Sequence, residues 1–381
     1  MKFRSRWLLI LLLLGSGRAN SEEKSRLDDP WEILKPHFSV PAEFAGDFGL
    51  FRKIPFSPEK RNLWPKKRAE IRAEWMDLLG GEWPKLNVTP KIEIVETTER
   101  ENFTQQKLKF EWLPNQITTG YLLIPNDIAE NETRPAVVTV YYEPETAIGL
   151  GKEQRDFALQ LVRKGFVTLS IGTTETTNNK TYSLYHPSRE NAKLQPLSAL
   201  ACAAANAWHV LASHPTVDSE RIGIVGHSYG GKWALFAGCL FEKFAAVAVS
   251  DPGIVFSTHP SVNYWEPWYL GYTPPPWRKR GVISSENPAS GPYPDLLKNG
   301  CDLHELHQLL APRPFLVSGG QVDPPEQWKA LNHLVELNEK LGFKNRVGMS
   351  NRPDHAPNPE SNRVISAFFE HFLMTAAADD Q

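Results

Sequence analysis

The sequence predicts an α/β fold, a mainly parallel central sheet flanked by helices, with an aromatic-rich insertion after the strand that follows the second half's glycine-rich turn. Two observations carry this. Short apolar runs of strand length alternate with helix-length segments, the pattern of βαβ units. Some runs, such as Ala136 to Tyr142 (AVVTVYY), are apolar and β-branched with almost no alternation, as expected for strands covered on both faces. With 381 residues, 41% of them hydrophobic, the chain can bury one large core or two modest ones.

Taken in order, Lys66 to Leu79 reads as an amphipathic helix, with Ile71, Trp75 and Leu78–Leu79 recurring at helical spacing. It belongs to an N-terminal extension (20–90) expected to pack on the main domain, because it has too few apolar residues for a core of its own. The main domain (91–381) opens with Lys91 to Glu96, which alternates as a half-buried strand, followed by strands at Gln106–Trp112 and Thr118–Ile124. After the buried run at 136–142 come a helix at Phe157–Lys164, ended by Gly165, and a strand at Phe166–Ile171. An alanine-rich helix spans Leu197–Ser213. Further strands are read at Arg221–Val225, Ala245–Val249, Phe315–Ser318 and Asn345–Met349, with helices at Lys232–Phe241, Glu326–Leu341 and Glu360–Leu373. Two long connections interrupt this alternation, 172–195 and 251–300. Connections that long in a compact domain are usually lids or binding insertions. The second carries Tyr264, Trp265, Trp268, Tyr269, Tyr272 and Trp277.

Composition narrows the function classes. A formal charge of -2 lacks the basic excess of a nucleic-acid binder. Lys2, Arg4 and Arg6 precede a short apolar run, Trp7 to Leu14, and Gly17 and Ala19 are the small residues of a cleavage site. That run is shorter than the roughly 17–25 residues that span a bilayer. Residues 1–19 therefore read as a cleaved export signal, and the mature protein is expected to be secreted or periplasmic with no stable membrane insertion. Cys202, Cys239 and Cys301 are odd in number and cannot all pair within the chain. Two of them fall in apolar helical stretches, where cysteine behaves as a small buried hydrophobe.

The chemistry concentrates at Gly226-His227-Ser228-Tyr229-Gly230-Gly231, a Gly-x-Ser-x-Gly turn fed by a strand and followed by a helix. Such a turn raises a serine hydroxyl above the sheet, beside a helix N-terminus that favours developing negative charge. A serine hydroxyl needs a base. His355 follows the last strand, in a loop stiffened by Pro353 and Pro357, and is the expected general base. Asp323 follows the strand FLVS and is the expected orienter of that histidine, with Asp251, past the preceding strand, as the rival acid. The oxyanion donors are expected from the backbone N–H of Tyr229 and from the loop near Tyr142 and Glu143, or from the hydroxyl of Tyr141 or Tyr142. Trp265 and Trp268 are candidate substrate contacts, since aromatic faces stack on sugar rings; packing of a lid would place the same residues there. His304-Glu305-Leu306-His307 has one residue too few between Glu and the second His for a zinc helix. No metal and no cofactor are expected.

The run Val217 to Gly231 resembles the nucleophile region of the dienelactone hydrolase, acetyl xylan esterase and prolyl oligopeptidase branch of the α/β-hydrolases, and Leu310-Ala311-Pro312-Arg313-Pro314-Phe315-Leu316-Val317-Ser318 is similar to the same group. Gly226–Gly238 with Leu309–Asp323 also resembles bacterial glucuronoyl esterases, although those carry Arg directly after the nucleophile where this chain has Tyr229. The resemblance implies the α/β-hydrolase fold and a serine ester hydrolase with Ser228, His355 and Asp323 as its triad, expected to act on a carbohydrate ester, small-molecule or polysaccharide, as an acetyl xylan esterase does, or alternatively on a glucuronoyl ester. A peptidase of the same branch and a non-catalytic binding protein are the competing readings. The first shares the chemistry. The second leaves the three residues at strand ends unexplained.

Overall fold

The computed structural model describes residues 29–47, 58–174 and 183–375. The expected export signal at 1–19 lies outside the described residues. Nine strands form one sheet: β1 (Ile92–Glu99), β2 (Phe103–Leu113), β3 (Gln116–Pro125), β4 (Arg134–Tyr141), β5 (Val167–Gly172), β6 (Val217–His227), β7 (Ala246–Ser250), β8 (Phe315–Gly319) and β9 (Val347–Asn351). Their spatial order is β1-β2-β3-β5-β4-β6-β7-β8-β9. The first three strands are joined by short turns and pair antiparallel, and β3 pairs antiparallel with β5. From β5 onward every pairing is parallel, because each connection there crosses over the sheet through helical or irregular chain. This is the α/β-hydrolase arrangement, a mostly parallel sheet flanked by helices.

Alternate residues of the same strands serve two cores. Val138, Ile224, Val247 and Val317 point into one, which also takes the helices Trp64–Leu78, Pro196–Ala212 and Tyr229–Leu240. Val137, Val225, Ala248 and Leu316 point into the other, with the helices Phe157–Val162 and Pro359–Phe369. That two-sided burial is why the central strands carry no polar alternation. The alanine-rich helix lets its neighbour approach closely enough for the Trp233 indole N–H to donate to the Leu200 carbonyl at 2.5 Å.

Three sequence expectations change. β1 was expected to be half-buried, but Ile92 and Ile94 are 37% and 55% exposed. It is the outermost strand, paired on one side only, and the helical layers do not reach it. The helix expected over 326–341 is a tight 3-10 turn at Pro325–Ala330 followed by an α-helix at Asn332–Leu341, which Gly342 closes in the left-handed conformation. The last helix ends at Phe369 and continues as a π-turn over Glu370–Thr375. The helix Trp64–Leu78 packs into the first core through Trp64, Ile71, Trp75 and Met76, and Trp64 and Arg68 donate to the carbonyls of Ala311 and Leu309. Among the described residues no helix is long and apolar enough to cross a membrane. Cys202, Cys239 and Cys301 are all buried.

The register sets up the site. His227 faces Ser250, Ser250 faces Ser318, and Ser318 faces Ser350 across four adjacent parallel strands. The C-terminal ends of β6, β7, β8 and β9 therefore finish in one row, the edge where open α/β sheets gather their ligands.

Candidate active site

Ser228 stands immediately after β6, with φ 56° and ψ -111°, a conformation side chains rarely adopt. Strain of this kind persists only where the surroundings over-determine it. Here the Ser228 amide donates to the Ser250 carbonyl at 2.8 Å, and its carbonyl accepts from the Lys232 amide at 3.0 Å in the first turn of the helix. That helix runs against the end of β4, and a Cβ at Gly230 would lie 1.9 Å from the Val140 carbonyl oxygen. Only glycine permits that approach.

Ser228 Oγ lies 2.9 Å from His355 Nε2, and His355 Nδ1 lies 2.6 Å from Asp251 Oδ2. The structure thus joins Ser228, His355 and Asp251 in one hydrogen-bonded line. The expected orienter, Asp323, is not in it. The reason is register: Asp251 directly follows β7, one strand from the serine, and its φ of 51° turns its carboxylate back over the strand ends. Asp323 lies deeper in the loop after β8. Its carboxylate accepts the amides of Gly253 and Ile254 at 2.8 and 2.6 Å.

The two aspartates support each other reciprocally. Asp251 Oδ1 accepts the backbone N–H of Asp323 at 2.7 Å and of Val322 at 3.1 Å. Asp323 caps the backbone just beyond Asp251. Both carboxylates are buried. Burial, reinforced by the negative Asp251 nearby, pushes the Asp323 carboxyl up to about 7. Lys232, 2% exposed, is the nearby cation. It donates to the carbonyls of Pro252 and Ser261 and lies over the Tyr264 and Tyr269 rings at 5.0 and 5.5 Å. Burial lowers its ammonium to about 8, while Asp323 and Asp251 act to raise it.

Tyr229 opens the helix, so its backbone N–H is among the first-turn amides that have no partner within the helix. Its side chain points away into the core, 1% exposed, stacked on Tyr142 with ring centroids 4.2 Å apart and hydrogen-bonded through its hydroxyl to Thr173 Oγ1 at 3.2 Å. Tyr142 is only partly buried, and the loss of water around it pushes its hydroxyl up to about 12. The structure therefore brings Tyr142 against the turn that carries Ser228.

Trp265 and Trp268 are not brought to an open surface. Trp265 is 1% exposed, with its indole N–H donating to the Gly281 carbonyl at 3.0 Å. Trp268 is 8% exposed, with the Arg280 guanidinium 5.7 Å from its ring. The insertion turns most of its aromatics inward to pack on one another, including Tyr264, Tyr269 and Tyr293. It is tied to the other long connection by Tyr272, whose hydroxyl accepts from the Ala192 amide and donates to the Arg189 carbonyl.

Sequence reasoning gave no role to Arg352, Lys232 or Ser250, which surround the line of three. No motif marks them. Their partners come from segments far apart in the chain, the ends of β6 and β8, the loop of His355 and the start of the insertion, which spacing along the chain does not reveal.

The architecture, with its strand-turn-helix elbow, is the α/β-hydrolase fold. A family model of the prolyl oligopeptidase family matches residues 201–338, and one of an abhydrolase family matches residues 52–200. Among solved structures, the chain is similar to a glucuronoyl esterase from Solibacter usitatus at a TM-score of 0.62 and 16% identity, covering 88% of this chain and 98% of that one. A promiscuous carbohydrate esterase family 15 enzyme from a marine bacterial metagenome gives a TM-score of 0.61 at 15% identity, again over 88% and 98%. A protein described as an acetyl xylan esterase from Bacteroides fragilis gives 0.55 at 16%, over 87% and 90%. No curated protein matches the chain.

Proposed function

We propose that this chain is an exported serine carboxylic-ester hydrolase acting on a carbohydrate ester. The observation that carries this reading is the continuous line Ser228–His355–Asp251 at 2.9 and 2.6 Å, seated on a strained elbow. In the proposed reaction, Ser228 Oγ attacks the ester carbonyl while its proton passes to His355 Nε2. Asp251 accepts the Nδ1–H bond, fixes the tautomer and stabilises the imidazolium. The Tyr229 amide, with a donor from the loop after β4, stabilises the oxyanion. Collapse of the tetrahedral intermediate returns the proton to the departing alcohol oxygen and leaves an acyl-serine. Water, deprotonated by His355, then attacks the acyl carbon, and the second collapse releases the carboxylic acid and restores Ser228.

The carbohydrate assignment leans on the structural neighbours, which are glucuronoyl and acetyl xylan esterases by description. The match of residues 201–338 to the prolyl oligopeptidase family favours a second reading, a peptidase with the same chemistry. Screening purified protein against acetylated xylan, a glucuronate ester and short peptides separates them. Turnover of a polysaccharide ester without peptide cleavage is expected, and the reverse pattern would replace the first reading with the second. A fluorophosphonate should label wild-type protein at Ser228 and leave Ser228→Ala unlabelled; folded wild-type protein that resists labelling would remove both. N-terminal sequencing of the exported protein should begin at Asn20.

A further inference from the structure

The loop that carries His355 is held by one buried side chain, Arg352, which is 6% exposed. Its Nε donates to the Ala356 carbonyl at 2.8 Å and its Nη2 to the His355 carbonyl at 2.7 Å, clasping the histidine from behind. Nη1 reaches the end of β8, with the Ser318 carbonyl at 2.9 Å, Ser318 Oγ at 3.0 Å and the Gly319 carbonyl at 3.2 Å. Nη2 also reaches Ser250 Oγ at 3.2 Å, on the residue before Asp251. Ser250 continues the chain of contacts. Its Oγ and its carbonyl each lie 3.1 Å from His227 Nδ1, on the residue before Ser228, and the same carbonyl accepts the Ser228 amide. The His227 ring in turn lies 4.7 Å from the His355 ring.

One guanidinium therefore connects the loop of the base, the strand end of the acid and, through Ser250, the strand end of the nucleophile. Its five N–H donors all have acceptors. No carboxylate lies within salt-bridge distance of it among the described residues. A buried cation loses its hydration whatever its partner, and carbonyl dipoles with the more distant Asp251 and Asp323 charges compensate that loss less than a carboxylate in contact would. A fold concerned only with stability would gain little from it, but a rigid planar fork fixes several carbonyls at once, which a flexible ammonium does not.

We propose that Arg352 is a positioning residue for the hydrolytic site, acting with Ser250 to hold the His355 imidazole between Ser228 and Asp251. The proposal rests on the hydrolase reading, and the test separates the two. Wild-type protein is first assayed with p-nitrophenyl acetate; absence of turnover there counts against the hydrolase reading, not against Arg352. With wild-type active, Arg352→Lys, Arg352→Ala and Ser250→Ala are compared with it for kcat, KM and melting temperature. Loss of alignment is expected to lower kcat by about 10²-fold in both Arg352 variants with little change in KM, as for an interaction made in the transition state. Lysine keeps the charge and loses the fork, so it should not restore the rate. Added guanidinium should recover part of the kcat of Arg352→Ala and none of that of Arg352→Lys, a recovery that a general loss of stability would not give. Ser250→Ala, a smaller change with less risk to folding, should lower kcat by about 10-fold. A kcat within twofold of wild type in folded Arg352→Lys, or in folded Ser250→Ala, would overturn the proposal.

Discussion

The loops after β7 and β8 each present a buried aspartate at the same edge of the sheet, yet only the first meets the histidine. Asp251 sits at the first position past its strand, with backbone in the left-handed region, and faces His355 at 2.6 Å. Asp323 sits further along its loop, in contact with two amides of the neighbouring segment. One carboxylate is turned outward to a titratable partner and the other inward to the backbone. The inward one still serves the outward one, because the Asp323 amide holds Asp251 Oδ1. The lesson is that a buried acid at a strand end is not by itself a catalytic acid. What separates the two is which strand each follows and where its lone pairs are spent.

The largest expected effect breaks that comparison at the half proposed to act in catalysis. Asp251→Asn should lower kcat by about 10⁴-fold while the protein stays folded, by the precedent of a triad whose orienting carboxylate becomes an amide. Steady-state rates with p-nitrophenyl acetate check it, and a loss under 10-fold would remove Asp251 from its proposed role. Next is the contact where the β8 loop crosses the acid. A Cβ at Gly320 would stand 2.9 Å from Asp251 Oδ2 and 2.4 Å from the Asp354 carbonyl oxygen. Gly320→Ala should therefore shift the carboxylate and lower kcat by about 10- to 100-fold, and wild-type rates would show that the loops yield freely.

The structural half gives smaller effects on rate. Asp323→Asn keeps the backbone N–H that holds Asp251 and should retain kcat within about 10-fold; a loss as deep as that of Asp251→Asn would make the two acids equivalent. Its signature lies in stability against pH. The Asp323 carboxyl is raised in the folded protein to about 7, from an ordinary value of 3.8. The folded state thus holds that proton more tightly than the unfolded state, and the associated stability is full below about pH 4 and lost as pH rises through about 7. Denaturant titrations across that window should show wild-type stability falling more steeply with pH than that of Asp323→Asn. Equal slopes would mean that Lys232 and the two amides hold the carboxylate ionised throughout. The smallest effect is at Tyr229→Phe, which removes the hydroxyl contact to Thr173 but keeps the helix amide. About 1 kcal/mol of stability should be lost with kcat nearly unchanged; a large loss of rate would mean that the phenol, not the amide, acts in the reaction.

Much of the molecule was legible in the sequence because its signals are local. The apolar runs located the central strands to within a few residues, since two-sided burial leaves no room for polar alternation. Ser228 was legible because its turn needs Gly226, Gly230 and Gly231 in a fixed pattern. His355 could be placed past the last strand, though its contact with Ser228 is a matter of three dimensions. The exposed edge of β1 was not legible, because alternation within a strand does not say how far the covering helices extend. Nor was the inward packing of Trp265 and Trp268, since a run of aromatics reads the same whether it lines a cleft or fills a core.

What the sequence by itself determined is the alternating α/β order, the sharp serine turn and a short roster of acids and bases at strand ends. What only the tertiary structure decided is which of them meet. The order of strands puts β7 beside β6, and the shared register of His227, Ser250 and Ser318 ends these strands together. That places Asp251 within reach of His355 and leaves Asp323 to brace it. Spacing along one chain cannot fix that choice, because it depends on hydrogen bonds between strands far apart in sequence.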